Sequence, residues 1–223
     1  MGVDGKRAAF DQLNADVLVV PECSSSPAFA RELGVSFAWR GRNLAKGLGV
    51  FALNGWTVVA MDERTSLPWL LPLQVLDPNG EEAFVLLALW TVAGEGRPSY
   101  SAQVAAAVRE WEGELREGRT ILAGDFNCSG QNRKPAAHLA NVEALRRLGA
   151  ESAYHAFFET GHGDETSMTL RWGKEAAGFH CDFVFVSAAM SPSISQVKIG
   201  TLAEWVESSL SDHCPVSVDF DWR

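Results

Sequence analysis

The stretch "TILAGDFN", residues 120–127, decides the architecture. Thr120, Ile121, Leu122 and Ala123 read as a strand leaving a core. The run then stops at Gly124 and a carboxylate, Asp125, with an amide, Asn127, two residues further on. A turn alone would be satisfied by Asn, Gly or Asp in almost any order. The meaning of Asp125 and Asn127 therefore rests on what else in the chain meets them.

Outward from that strand, strand and helix patterns interleave. "KRAAFDQLNA" (6–15) is a short amphipathic helix and "DVLVVPE" (16–22) a buried strand ending at a proline. "SPAFARELG" (26–34) is a helix with Ser26 as cap, Pro27 in its first turn and Gly34 beyond its end. "VSFAWR", "LGVFAL" and "WTVVAM" are successive strands, the last two joined at Asn54-Gly55. "LLPLQVL" and "AFVLLALWTV" flank the turn Asp77-Pro78-Asn79-Gly80. "SYSAQVAAAVREWEGELREG" (99–118) is the clearest helix, with a stripe of Val104, Val108, Trp111 and Leu115. "AAHLANVEALRRLGA" is a second long helix closed by Gly149, and "MTLRW", "CDFVFVS" and "PVSVDF" complete the strands. No repeat, low-complexity tract or charge block marks a boundary, so residues 1–223 read as one domain, a layered α/β or α+β sandwich.

Acids stand at the strand ends. Glu22 and Asp125 directly follow apolar runs, Asp182 opens "CDFVFVS", and Ser211-Asp212-His213 precedes the last strand. If these strands lie side by side, their carboxylates gather at one rim and repel each other unless a cation sits among them. Oxygen ligands suit a hard ion, Mg²⁺ or Mn²⁺, rather than zinc. His213 can donate to a phosphate oxygen with Asp182 holding its other nitrogen, and Asn127 offers an amide that cannot ionise. Metal, carboxylate, amide and oriented histidine together point to metal-assisted phosphoryl hydrolysis.

The order "VVPE", "AGDFN", "CDFVFVS", "SDHCPV" resembles the endonuclease/exonuclease/phosphatase family, which includes DNase I-like nucleases, apurinic endonucleases, inositol-phosphate phosphatases and sphingomyelinases. "KGLGVFA", "SAYH" and "GFHCDF" are similar to a mostly bacterial branch of it. The resemblance implies a four-layer αββα sandwich with its site at one rim. It implies Glu22 as principal metal ligand, Asp125 on the attacking water, Asn127 on the phosphate, and Asp182 paired with His213. It implies Asp212 at the metal or the water, and His213 stabilising the pentavalent phosphorus. Two departures stand out. The family's opening strand, with its metal-contacting Asn, has no counterpart before the first helix, which leaves either a start codon placed late or a weakened metal site. Trp90 also stands where many members carry a histidine.

Other residues bear on the substrate. His155, His180 and Lys46 are candidate substrate contacts, with Arg42 and His162 at the margin, while His138 reads as surface or packing. Trp39, Trp90 and Trp172 are candidate pocket walls. A Cys-His hydrolase using Cys128 or Cys214 is the rival chemistry, opposed by the surrounding carboxylates. "KGLG" lacks the order and spacing of a P-loop.

Composition narrows the setting. The formal charge of −9 and the lack of a basic patch with interleaved aromatics favour a small molecule, a nucleotide or a lipid head group over duplex DNA. Four scattered cysteines, no signal-peptide pattern and no apolar run long enough to cross a bilayer point to a reduced, cytoplasmic protein. The alternative class is a non-catalytic binding or regulatory domain of the same fold.

Overall fold

The computed structural model describes residues 3–171 and 178–221. A 3-10 turn (Val3–Lys6) leads into α1 (Arg7–Leu13) and β1 (Val17–Cys23). Next come α2 (Ala28–Leu33), β2 (Ser36–Asn43), β3 (Lys46–Ala52), β4 (Thr57–Ala60), β5 (Leu70–Leu76) and β6 (Glu82–Trp90). The second half holds α3 (Tyr100–Glu110), α4 (Glu112–Glu117), β7 (Thr120–Asp125), α5 (Ala136–Arg147), β8 (Glu151–Ser152) and α6 (Ala153–Phe158). It closes with β9 (Asp182–Val186), β10 (Ile194–Ile199) and β11 (Val216–Phe220).

Three apolar clusters stack these elements into four layers. Val104, Trp111 and Leu115 from α3–α4 and Leu145 from α5 pack on Leu87, Leu122 and Phe185 of a six-stranded sheet. On that sheet's other face Leu73, Leu86, Ile121 and Ala123 meet Leu48, Val50 and Ala52 of β3. Beyond β3, Phe51 and Leu18 bury against Phe10 of α1 and Trp205. Both faces of β7 are thus covered, which is why its sequence is apolar without alternation. Removing any one of these side chains from water contributes roughly 2 kcal/mol.

The six-stranded sheet has the order β4-β5-β6-β7-β9-β8, with β6 and β7 parallel and their neighbours antiparallel. The facing layer consists of a trio, β1-β3-β2, and a pair, β10-β11. No strand pairing joins trio to pair among the described residues. Between β1 and β11 runs a cleft of about 630 Å³, walled by Leu18, Val20, Val216 and Val218 and floored by Ile121 and Ala123.

Several elements differ from the sequence reading. Asn54-Gly55 makes a turn, but it carries the chain from one sheet to the other, because β3 pairs with β1 and β2 while β4 pairs with β5. The long helix breaks at Trp111, and the break lets Trp111 and Leu115 both bury fully. Ser26 does not cap α2; Pro27 holds the cap position and the Ser26 hydroxyl accepts from Arg31 instead. "MTLRW" forms only single bridges, Leu170 to Phe179 and Leu170 to His213, with Trp172 outside the described residues. α6 and β10 carry no strong period in sequence and take shape by packing on each other, with Ala153, Tyr154 and Val197 in one cluster.

Candidate active site

Two backbone features explain the sharp end of β7. Gly124 has φ +139°, and a Cβ there would lie 1.9 Å from the Leu89 carbonyl oxygen, so only glycine lets β6 and β7 approach this closely. Phe126 then drops into the core edge-on to Phe183, its N–H donating to the Cys181 carbonyl at 3.0 Å. Asn127 adopts φ +48° and folds back on Asp125. Its backbone N–H donates to Asp125 Oδ1 (2.8 Å), and its amide Nδ2 donates to Asp125 Oδ2 (2.6 Å) and to the Thr91 carbonyl (3.0 Å). The carboxylate and amide two residues apart therefore form one clamp, and both amide protons of Asn127 are spent, one on Asp125 and one on the Thr91 carbonyl.

Asp182 is the antiparallel partner of Asp125 across β7 and β9. Two carboxylates facing each other on neighbouring strands repel, and burial compounds the cost. Burial first, then the Asp182 charge, pushes the Asp125 carboxyl up to about 7. The compensating charge is His213, whose Nδ1 lies 2.8 Å from Asp182 Oδ2. Burial alone would lower that imidazole, but Asp182, Asp125 and Asp212 outweigh it and raise it to about 9. Nδ1 is committed to Asp182, which leaves Nε2 for the cleft. Thr169 braces the pair: its buried Oγ1 accepts the N–H of both Cys181 and Asp182 at 3.0 Å. The neighbouring Cys214 N–H donates to the Thr169 carbonyl at 2.8 Å.

Glu22 ends β1 at φ +60°, beside a bulge in the β1–β3 pairing. That conformation is uncommon for a residue with a side chain and places the carboxylate at the mouth of the cleft. Lys46 Nζ lies 2.8 Å from Glu22 Oε1 and 5.9 Å from the Trp90 ring centre. Glu22, Asp125, Asp182, Asp212 and His213 all line the one cleft. Asp125, Asp182, His213 and Cys181 each offer a ligand atom within 4.8 Å of the others. The donor set suits a hard dication: an acid-lined cleft, with one carboxyl held so unfavourably that it takes up a proton near neutrality.

The structure does not bring every candidate to this rim. His155 and His180 are buried, 8 % and 0 % exposed. His155 Nδ1 pairs with Ser152 Oγ (2.8 Å), and His180 Nδ1 donates to the Ser167 carbonyl (3.0 Å). Both point into the interior rather than toward a substrate. His138, expected at the surface or in packing, is buried, and its Nδ1 meets Cys128 Sγ at 3.4 Å. That Cys-His contact is not a nucleophile: burial pushes the Cys128 thiol up to about 11 and the imidazole down to about 4, the reverse of an ion pair. All four cysteines are free and buried.

A second, smaller hollow of about 420 Å³ meets the first at Glu22, which lines both, and Asn127 lines the smaller one. Arg40, Arg42, Lys46 and Arg97 line it together with Trp69, Trp90 and Tyr100. Strands β2, β3 and β6, the loops at Trp69 and Arg97 and the start of α3 supply these groups from positions 40 to 100, so a linear reading finds no basic patch interleaved with aromatics. Thr91, Thr169, Trp69 and Arg97 escaped notice for the same reason: none lies in a motif.

A layered sandwich with helices outside two facing sheets, and an acid-histidine site where β7, β9 and the loop before β11 converge, defines the DNase I-like fold of the endonuclease/exonuclease/phosphatase proteins. Solved structures with that fold superpose over nearly the whole chain. A 3′ phosphatase, NExo, from Neisseria bound to product DNA hairpin matches with TM-score 0.74 and 18 % identity over 99 % of this chain and 96 % of that one. The 3′-5′ exonuclease NExo from Neisseria meningitidis gives 0.71 and 17 % over 99 % and 96 %. An AP endonuclease from Archaeoglobus fulgidus gives 0.70 and 12 % over 96 % and 92 %. No protein-family model and no curated protein sequence matches the chain. Among the described residues no helix is long and apolar enough to cross a membrane.

Proposed function

We propose that the chain is a divalent-metal-dependent phosphoesterase that directs water in line against a phosphate ester. The observation that carries this reading is Asp125, clamped by Asn127, facing the Asp182–His213 pair in an acid-lined cleft. Glu22 and Asp212 would hold Mg²⁺ or Mn²⁺, which when bound neutralises charge on the phosphoryl oxygens. Asp125, with a carboxyl poised near neutrality, takes the proton of the attacking water. Asn127 fixes the two oxygens of Asp125 and serves as a positioning residue; donating to a phosphate would cost it one of those bonds. His213, held protonated by Asp182, donates from Nε2 to a non-bridging oxygen.

The substrate is a phosphate ester whose remainder enters the Arg40–Arg42–Lys46–Arg97 hollow and rests on Trp69, Trp90 or Tyr100. The net acidity of the chain does not argue against nucleic acid, because four of its 19 Lys and Arg residues line this one hollow. The earlier preference for small molecules over duplex DNA has no support, and both stay within the substrate class.

A panel of phosphomonoesters, nucleotides, single-stranded and duplex DNA, assayed with Mg²⁺, Mn²⁺ and EDTA, tests the proposal. Metal-dependent turnover, lost in both Asp125→Ala and His213→Ala with folding retained, is the expected result. Turnover in none of the assays would favour the non-catalytic domain.

A further inference from the structure

Four of the five histidines share one buried cluster that the proposed chemistry does not use. His138 comes from α5, His155 from α6, His162 and Glu165 from the loop after α6, and His180 from just before β9. The rings of His155 and His162 stack at 3.5 Å, His138 lies 5.6 Å from His162, and His180 lies 6.1 Å from His155. Glu165, fully buried at its side chain, places Oε1 3.0 Å from His155 Nε2 and 4.0 Å from His162 Nδ1. Each of the three residues offers a ligand atom within 4.8 Å of the others.

Three imidazole nitrogens in this cluster have no hydrogen-bond partner among the described residues: His138 Nε2, His162 Nδ1 and His180 Nε2. His138 is 3 % exposed and His180 0 %, so water does not reach them freely. Leaving a buried polar atom unpaired is destabilising, and three in one place demand a reason.

We propose that this cluster is a second metal site, a structural one for Zn²⁺, ligated by Glu165 Oε1, His155 Nε2 and His162 Nδ1. A set rich in nitrogen with one carboxylate suits zinc, in contrast to the oxygen-only rim around Glu22 and Asp212. Tetrahedral ligands at about 2.0 Å from zinc stand about 3.3 Å apart, and the 3.0 and 4.0 Å separations bracket that value. The orphaned Nε2 atoms of His138 and His180 are the protein groups at hand for the fourth position. In the ion-free cluster His155 Nε2–H donates to Glu165; the ion takes the place of that proton, and Nδ1–H then donates to Ser152 Oγ, which fixes the ring. His162 turns out of its stack on His155 to ligate, on a loop where Gly161 and Gly163 flank it. A consequence for the rim follows from Gln131, on the loop after Asn127. Its amide donates to the Glu165 carbonyl (2.8 Å) and its Oε1 accepts from the His180 N–H (3.0 Å), so the ion would anchor the catalytic loop.

The test is zinc content and affinity in tag-free protein, by elemental analysis after purification and by titration of EDTA-dialysed protein against a chelator indicator. A Glu22→Gln/Asp125→Asn double variant blanks the rim. One zinc equivalent that persists in the double variant and binds at least 100-fold more weakly in both Glu165→Gln and His162→Ala is the expected result. Co²⁺ in place of zinc should give the intense visible band of a tetrahedral site, lost in the same two variants. Zinc that disappears with the rim variant, survives both cluster variants, or never binds more tightly than micromolar would overturn the assignment. His162 is the most exposed of the three ligands, at 12 %, so His162→Ala keeps the test usable if Glu165→Gln fails to fold.

Discussion

Asp125 and Asp182 stand directly across from each other on antiparallel strands, and His213 touches only the second of them, at 2.8 Å. One histidine thus answers for two carboxylates. That imbalance splits the titration of the cleft, with Asp125 held near 7 and His213 near 9.

The first prediction concerns pH. A base that must lose a proton near 7 and an acid that must keep one to about 9 give kcat/KM a bell-shaped profile with limbs near those values. The limbs belong to the coupled group rather than to single residues. Asp182→Asn removes the main upward pull on His213, so its imidazole should titrate lower by NMR and the alkaline limb should move down with it. A His213 titration unchanged by the substitution would contradict the pairing. The imidazolium stabilises the fold fully below its ordinary value of 6.5, and that contribution disappears as pH rises through about 9.

The second concerns Asp125→Asn. A carboxyl raised in the fold burdens it when ionised, so its stability deficit is absent below the ordinary value of 3.8 and complete once pH passes about 7. The amide variant loses one acceptor for Asn127 at every pH, but its melting temperature should fall less than the wild type's between acid and pH 8. Its turnover should fall about 10²–10⁴-fold, the usual worth of a general base. Calorimetry at the two pH values beside a rate assay checks both halves.

Lys46 carries the third. Its ammonium rests on Glu22 at 2.8 Å, where the pair is half exposed and worth little as a salt bridge. A dication taken up by Glu22 must compete with it. Lys46→Met should tighten Mn²⁺ binding by a few-fold, read by electron paramagnetic resonance of free Mn²⁺, while Glu22→Gln weakens it. Weaker Mn²⁺ binding in Lys46→Met would show that the lysine does not compete.

Thr169 supplies the fourth. Thr169→Val keeps the shape but leaves the N–H groups of Cys181 and Asp182 without their acceptor in a buried place. The loss should be on the order of 2–4 kcal/mol by denaturant unfolding. The His213 titration should also shift as Asp182 loosens, a change that a purely global destabilisation would not make.

Much of this was legible in the residues. β7 and β9 read as strands because both their faces are covered by other layers, so apolar residues run on without alternation, while β11 reads as one because Val216, Val218 and Phe220 alternate with Ser217 and Asp219. The acids flanking them announced themselves by interrupting that pattern. "MTLRW" misled because its apolar residues serve single bridges and a hydroxyl brace, not a ladder. α6 and β10 were missed because six residues are too few to show a period, and tertiary packing alone stabilises them.

The chain's order of residues determined which strands exist, where each stops and which acids stand at the stops, because burial periodicity and turn chemistry act over neighbouring residues. Only the folded structure decided what those groups meet: that Asn127 spends its amide on Asp125, that four cations and three aromatics share one hollow, and that four histidines meet under β9. The hollow and the histidine cluster join separate segments of the chain, and their geometry follows from how layers pack, while the Asn127–Asp125 clamp is local but needs the left-handed backbone at Asn127.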